Sequence, residues 1–125
     1  MINLITLITL IISLSVSSCH KEEHRYIYIE NNSNSAIYYR FSFAYPDTTL
    51  KNSDPDNYKI KSESKTFTTA RVFAFNATMQ LFIFDSTTIE NTLWDSIVAR
   101  NMVLKRYQFT ESDMQQANWT ITYPK

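Results

Sequence analysis

The sequence predicts a mainly β protein, an antiparallel β-sandwich of about seven strands with two short helices in its connections. Short segments rich in aromatic and β-branched residues alternate between apolar and polar side chains, as strands with one buried face do. Clusters of Asn, Asp, Ser and Pro separate these segments at the regular spacing typical of sandwiches. A helical period appears only late in the chain, so the helices are expected in connections.

The first two strands have the clearest alternation. Residues 26–30, YIYIE, predict the first strand, and residues 31–35, NNSNS, predict a turn by their composition. Residues 37–44 then place Ile, Tyr, Phe and Phe at every second position, which is the cleanest period-two pattern in the chain. We expect these two strands to form a hairpin.

Three further strands are predicted in the middle of the chain. Beyond a polar loop at residues 48–57, residues 58–61 predict a short strand at a sheet edge. Residues 66–76 predict another strand, with three Phe side chains on one face. Residues 79–85, MQLFIFD, are almost continuously apolar, which is typical of a central strand.

The last third of the chain changes period. Apolar residues in 89–100 recur at helical spacing and predict a short helix, and residues 102–109 return to a strand pattern. Thr110 predicts a helix N-cap because acidic residues follow it, where the helix dipole favours them. This second helix is expected to end near Asn118. Residues 119–123 predict the last strand of an immunoglobulin- or transthyretin-like sandwich.

Composition excludes several classes of function. The chain has 125 residues, of which 12 are basic and 12 acidic, and no basic block, so no nucleic-acid partner is expected. It contains no glycine, which excludes the phosphate loop, the dinucleotide-binding fingerprint and the nucleophile elbow. Turns that require a positive φ are therefore expected to use Asn or Asp.

The N-terminal residues predict a lipid anchor. Residues 4–14 carry no charge and are too few for a membrane span of about 20 residues, but they suit the apolar core of an export signal. The sequence VSSC that ends at Cys19 resembles the lipobox of bacterial lipoproteins. This resemblance implies that residues 1–18 are a signal peptide, that acyl chains on Cys19 anchor the protein, and that residues 19–25 form a tether to a domain at residues 26–125. The alternative is a buried apolar segment with an ordinary free cysteine.

The residues after the cysteine bear on where the protein is sorted. Lys21, Glu22 and Glu23 resemble the surface-export signal of lipoproteins in some Gram-negative gut and oral bacteria. The resemblance implies an outer-membrane lipoprotein that faces the cell surface rather than the periplasm. The alternative is a solvated tether without a sorting role.

The C-terminal half resembles a family as well. From LFIFD through LKRYQFT to NWTITYP, the chain is similar to small lipoproteins of unknown function from Gram-negative gut bacteria. This resemblance implies a localisation and a fold, and it supplies no activity.

The predicted domain lacks the side chains of common catalytic and metal sites. The only Cys and both His residues precede residue 26, so a Ser-His-Asp or Cys-His arrangement cannot form within it. We therefore predict no enzymatic activity, no cofactor and no metal site. A carboxylate pair among Glu30, Asp85, Asp95 and Glu111 is one alternative, and a calcium loop at residues 54–57 is another. The expected role of Asp85 is to cap the turn that follows it.

Aromatic rings are the better lead to a ligand. Tyr26, Tyr28 and Tyr38 are predicted to lie partly on solvent-facing sides of strands, where rings can stack on sugars. The alternative is that these rings pack in the core. The sequence resembles the acceptor motif for O-glycosylation in the same bacteria at three positions, Thr48, Ser86 and Ser96.

Together these patterns predict a membrane-anchored, non-catalytic lipoprotein that acts as a binding or accessory interaction module in the cell envelope. Its expected contacts are the membrane, through the lipid on Cys19, and an envelope protein. The alternative function is a carbohydrate-binding lipoprotein at the cell surface.

Overall fold

Residues 26–42, 45–50, 58–69 and 78–124 are described by a computed structural model, and within them seven strands form two sheets accompanied by three short helices. The strands are β1 (Tyr26–Asn31), β2 (Ile37–Ser42), β3 (Lys59–Ile60), β4 (Ser64–Thr69), β5 (Met79–Asp85), β6 (Lys105–Phe109) and β7 (Thr120–Tyr123). The helices are α1 (Ser86–Asn91), α2 (Trp94–Arg100) and α3 (Glu111–Gln116). The predicted β-sandwich is confirmed, and none of these helices is long and apolar enough to cross a membrane.

The two sheets differ in size and in pairing. The smaller sheet has the strand order β4-β1-β7, and the larger sheet has the order β3-β2-β5-β6. Neighbouring strands are antiparallel except for β1 and β7, which are parallel. The predicted hairpin of the first two strands is wrong, because β1 lies in the smaller sheet and β2 in the larger. The turn between them is instead a corner that carries the chain from one sheet to the other.

Asn31 holds this corner together. Its side chain is fully buried, and its amide nitrogen donates to the carbonyl oxygens of Ser35, at 2.8 Å, and Lys61, at 3.0 Å. Its amide oxygen accepts from the backbone N–H of Ser33, at 3.0 Å, and from the Ser33 hydroxyl, at 2.7 Å. One side chain therefore joins the end of β1, the corner and the turn after β3, which explains why the composition of this turn does not lead to a hairpin.

Strand β5 lies between β2 and β6, which confirms the predicted central strand, and it is buried on both faces. Leu81 and Ile83 face the core between the two sheets. Phe82 and Phe84 face the other way, into a second core formed with side chains of α1 and α2; the rings of Phe84 and Trp94 lie 5.7 Å apart in an edge-to-face contact. The molecule is therefore a sandwich with a helical cover on the outer face of its larger sheet.

The helices differ from prediction in number and extent. The single helix predicted over residues 89–100 is wrong, because the structure has α1 and α2 on either side of Thr92 and Leu93. Helix α1 begins earlier because the Asp85 carboxylate accepts a hydrogen bond from the Thr88 N–H at 2.9 Å, so the capping role of Asp85 is confirmed. The N-cap at Thr110 is also confirmed.

Only some of the backbone positions with positive φ are occupied by Asn or Asp, the residue types expected in a chain without glycine. Asn101 and Asn118 adopt φ near 50°, as expected for Asn. Leu50 and Trp119 do so too, at 59° and 57°, although this conformation costs a residue with a Cβ atom roughly 1–2 kcal/mol. Leu50 is fully buried in the second core and Trp119 packs against the first, so the burial of their side chains offsets that cost.

Asp47 fastens the loop that precedes Leu50 onto the larger sheet. Its carboxylate accepts from the Ser42 hydroxyl at 2.6 Å and from the Thr49 N–H at 3.1 Å. Its own N–H donates to the side-chain oxygen of Gln80 at 2.5 Å. Burial alone would raise the pKa of Asp47, but these hydrogen bonds to the carboxylate, together with the Arg106 charge, lower it below its ordinary value.

Replacing Asn31 should weaken the whole fold. We expect Asn31→Ala to lower the free energy of unfolding by about 2–3 kcal/mol, because it leaves buried carbonyl oxygens without a donor. Urea unfolding measures this change. Asn34→Ala, an exposed substitution in the same corner, should stay within about 0.5 kcal/mol of the native protein. Equal effects of the two substitutions would contradict the role of Asn31.

Asp47 should make stability depend on pH in the acid range. Because its pKa is lower in the folded state, its ionised form adds stability at neutral pH that is lost as the pH falls through the folded-state pKa. Asp47→Asn should therefore lower the urea midpoint at about pH 7, and the difference from the native protein should shrink towards about pH 3. Glu63→Gln, at an exposed turn, is the control and should leave the urea midpoint unchanged at both pH values. A constant deficit for Asp47→Asn at all pH values would contradict this assignment.

Candidate functional site

Three aromatic rings lie exposed on the outer face of the smaller sheet. We call Tyr26, Tyr28 and Phe67 the aromatic face; their side chains are 42%, 36% and 61% exposed, respectively. The register of β1 and β4 places Tyr28 directly opposite Phe67, since the alternation that buries Ile27 and Ile29 turns these rings outward.

The rings of the aromatic face contact each other mainly edge to face. The centroids of Tyr26 and Phe67 lie 5.3 Å apart, with an angle of 83° between the ring planes. Tyr28 and Phe67 are 6.3 Å apart and inclined at 53°. The ammonium nitrogen of Lys65 lies 5.1 Å from the centre of the Tyr28 ring. The aromatic face thus presents apolar rings, two tyrosine hydroxyls and, beside them, the ammonium group of Lys65.

Tyr38, the third ring predicted for a sugar platform, lies elsewhere. It belongs to β2 in the larger sheet and is only 8% exposed, because it packs in the second core. Its hydroxyl donates to the Glu90 carboxylate at 3.1 Å, and Glu90 also pairs with Lys59. Tyr38 therefore shares no surface with Tyr26 and Tyr28. Phe67 is their neighbour instead, and no pattern in the sequence predicts this, because only the pairing of β1 with β4 brings it there.

A second surface is an open groove on one side of the sandwich. The groove has a volume of about 650 Å³ and is lined by β6, α3 and β7. Its apolar floor includes Phe109, Met114 and Ile121, which also belong to the core between the sheets. Polar side chains such as Gln108 and Gln116 line its walls. No pattern in the sequence predicts this groove, because it exists only where the last strand joins the smaller sheet.

The edges of the two sheets frame the groove. Strand β6 ends the larger sheet and β7 ends the smaller one, and no other described strand pairs with their outer edges. The Tyr107 hydroxyl lies 3.5 Å from the Thr122 carbonyl oxygen, which is the long limit of a hydrogen bond across the gap. An exposed strand edge presents backbone N–H and C=O groups to which another extended chain can pair.

Two ionisable side chains of the groove have shifted pKa values. Burial raises the pKa of Tyr107, and the neighbouring Tyr123 raises it further. Hydrogen bonds from the backbone N–H and the hydroxyl of Thr110 lower the pKa of Asp113. The reciprocal bond from the Asp113 N–H to the Thr110 hydroxyl completes a capping box that fixes the start of α3. The groove therefore presents a neutral phenol and an ionised carboxylate at neutral pH.

Other predicted site residues fall in two groups. Cys19 and the export residues Lys21, Glu22 and Glu23 lie outside the described residues, as do residues 54–57 of the calcium alternative. The four carboxylates of the hydrolase alternative lie on four different elements or caps: Glu30 on β1, Asp85 at the cap of α1, Asp95 on α2 and Glu111 on α3. Within the described ranges, no three His, Cys, Asp or Glu side chains are grouped to hold a metal ion.

The comparisons with known proteins add no family. No protein-family model matches the chain, and neither a curated protein nor a solved structure matches it significantly. The resemblance to small lipoproteins therefore stays a prediction.

The three O-glycosylation candidates differ in their exposure to solvent. Thr48 is exposed in the loop after Asp47. Ser86 and Ser96 are partly buried in the first turns of α1 and α2, and their backbone N–H groups are bonded to the carbonyl oxygens of Ala36 and Leu93. Of the three, only Thr48 is an exposed loop residue that a modifying enzyme can reach.

We accordingly expect a glycan on Thr48 and on neither serine. Glycopeptide mass spectrometry of the protein from its native cells should find the added mass on the Thr48 peptide, and Thr48→Ala should remove it. A glycan on the Ser86 or Ser96 peptide, or the absence of any glycan, would contradict this prediction.

Proposed function

We propose that this protein is a lipid-anchored, non-catalytic binding module of the cell envelope, held in the outer membrane through Cys19 and facing the cell surface. The groove between β6 and β7 is the observation that supports binding: it is a concave, partly apolar surface between two strand edges with which no other described strand pairs. The absence of His and Cys from residues 26–125 supports a role without catalysis. The VSSC sequence supports the anchor.

The ligand that suits this groove is an extended segment of an envelope protein. Such a segment can add to a strand edge through main-chain hydrogen bonds, while its alternate side chains enter the groove. Phe109 and Ile121 offer apolar contacts on the floor, and the Asp113 carboxylate favours a basic side chain at one end. The partner is thus expected to supply an extended, alternating apolar and polar segment that includes Lys or Arg.

Carbohydrate binding, the alternative function, has less structural support. Of the three rings predicted for it, Tyr26 and Tyr28 are exposed, whereas Tyr38 is buried in the second core. Phe67 stands nearly perpendicular to Tyr26, so the exposed rings do not form one flat platform for sugar stacking. Phe67 also has no polar atom with which to bind a sugar hydroxyl.

Photo-crosslinking in intact cells tests the proposed binding site. A photoreactive residue at Gln116, which lines the groove, should form an adduct with a single envelope protein. The same residue at Ser112, which is exposed on the same helix outside the groove, is the matched control. Mass spectrometry of the adduct should locate the crosslink in an extended segment of the partner. Cys19→Ala should abolish the adduct, because it removes the protein from the membrane.

Two results would overturn the proposal. Equal adducts from Gln116 and Ser112 would mean that contact is not directed by the groove. An unchanged adduct in the Cys19→Ala protein would mean that binding does not depend on the lipid anchor.

A further inference from the structure

We propose that the aromatic face docks on the membrane surface that holds the lipid anchor, so that the domain is oriented on the membrane rather than suspended from it. This inference rests on the anchoring part of the proposed function. It concerns a different surface from the groove, and a different partner: phospholipid headgroups and the outer ends of acyl chains.

The position of the tether is the first argument. Residues 20–25 separate Cys19 from Tyr26, and Tyr26 is both the first residue of β1 and a member of the aromatic face. Seven residue steps span at most about 25 Å when fully extended. Residues 1–25 therefore lead directly to this face, and a lipidated Cys19 would keep the face close to the bilayer.

The polarity along the sheet is the second argument. The pair of Tyr26 with Thr69 and the pair of Tyr28 with Phe67 lie at the end of the sheet nearest the tether. Glu30, paired with Lys65, lies at the far end. Aromatic groups thus gather where the lipid would enter, and the paired charged residues Glu30 and Lys65 stand farther from it. The three residue pairs nearest the tether contain no charged side chain.

The side-chain chemistry fits a lipid interface. Phe67 is the most exposed ring of the three and has no hydrogen-bonding group, so contact with acyl chains removes apolar surface from water. Tyrosine rings suit the headgroup level, where the ring is in apolar surroundings and the hydroxyl meets polar groups. The Lys65 ammonium, lying over the Tyr28 ring, can reach a lipid phosphate while its stem stays on apolar surface.

Depth-dependent quenching tests this docking with the mature acylated protein in phosphatidylethanolamine–phosphatidylglycerol vesicles that contain brominated phospholipid. Phe67→Trp places an emitter on the aromatic face. Leu104→Trp, at a 50% exposed residue before β6 in the other sheet, is the matched control. The native protein provides the baseline for Trp94 and Trp119. We expect the added emission of Phe67→Trp to be quenched severalfold more than that of Leu104→Trp.

Other results would overturn the docking in distinguishable ways. Equal quenching of the two variants in a protein whose intact mass includes the acyl chains would overturn docking and leave the anchor standing. An unmodified Cys19 in the intact mass would overturn the anchor and the docking together. Equal quenching, combined with a change in Phe67→Trp emission on addition of soluble polysaccharide, would overturn docking in favour of a carbohydrate surface.

Discussion

The hydrogen bonds of one buried amide decide how this chain folds. Asn31 stands where β1 ends, and its contacts with Ser33, Ser35 and Lys61 turn the chain out of one sheet and into the other. A buried amide must satisfy both its donor and its acceptor groups, and here the corner and the turn after β3 satisfy them together. Because β1 does not pair with β2, both edges of β1 can pair with other strands, which are β4 and β7. The parallel pair of β1 with β7 forms in this way, and the groove lies beside β7.

A second constraint is the burial of β5 on both faces. Leu81 and Ile83 need a covering layer on one side, and Phe82 and Phe84 need one on the other. The smaller sheet supplies the first cover, and α1 and α2 supply the second. Among the described residues, these layers leave two surfaces open: the outer face of the smaller sheet and the side between the edges of β6 and β7. Both proposed functions use a surface that the layering leaves uncovered.

The two surfaces have different proposed roles, since the aromatic face contacts the membrane and the groove binds a protein segment. The aromatic face includes Tyr26, the residue that follows the proposed tether, whereas the groove lies at the side of the sandwich, bounded by α3. A domain lying on the membrane through Tyr26, Tyr28 and Phe67 would keep its groove facing sideways and accessible to an extended segment of a neighbouring protein. Docking would also restrict the orientations of the domain, which lowers the entropy cost of binding such a neighbour.

By itself, the sequence determined the strands that are set by local pattern. Alternation identified the first two strands, the apolar run identified β5, and capping chemistry identified the start of the helix at Thr110 and the capping role of Asp85. Only the tertiary structure decided which strands pair, because alternation fixes the faces of a strand and not its neighbours. Pairing moved Tyr38 into the second core and brought Phe67 beside Tyr28. It also joined β7 to β1, and so made the groove from residues that are distant in the chain.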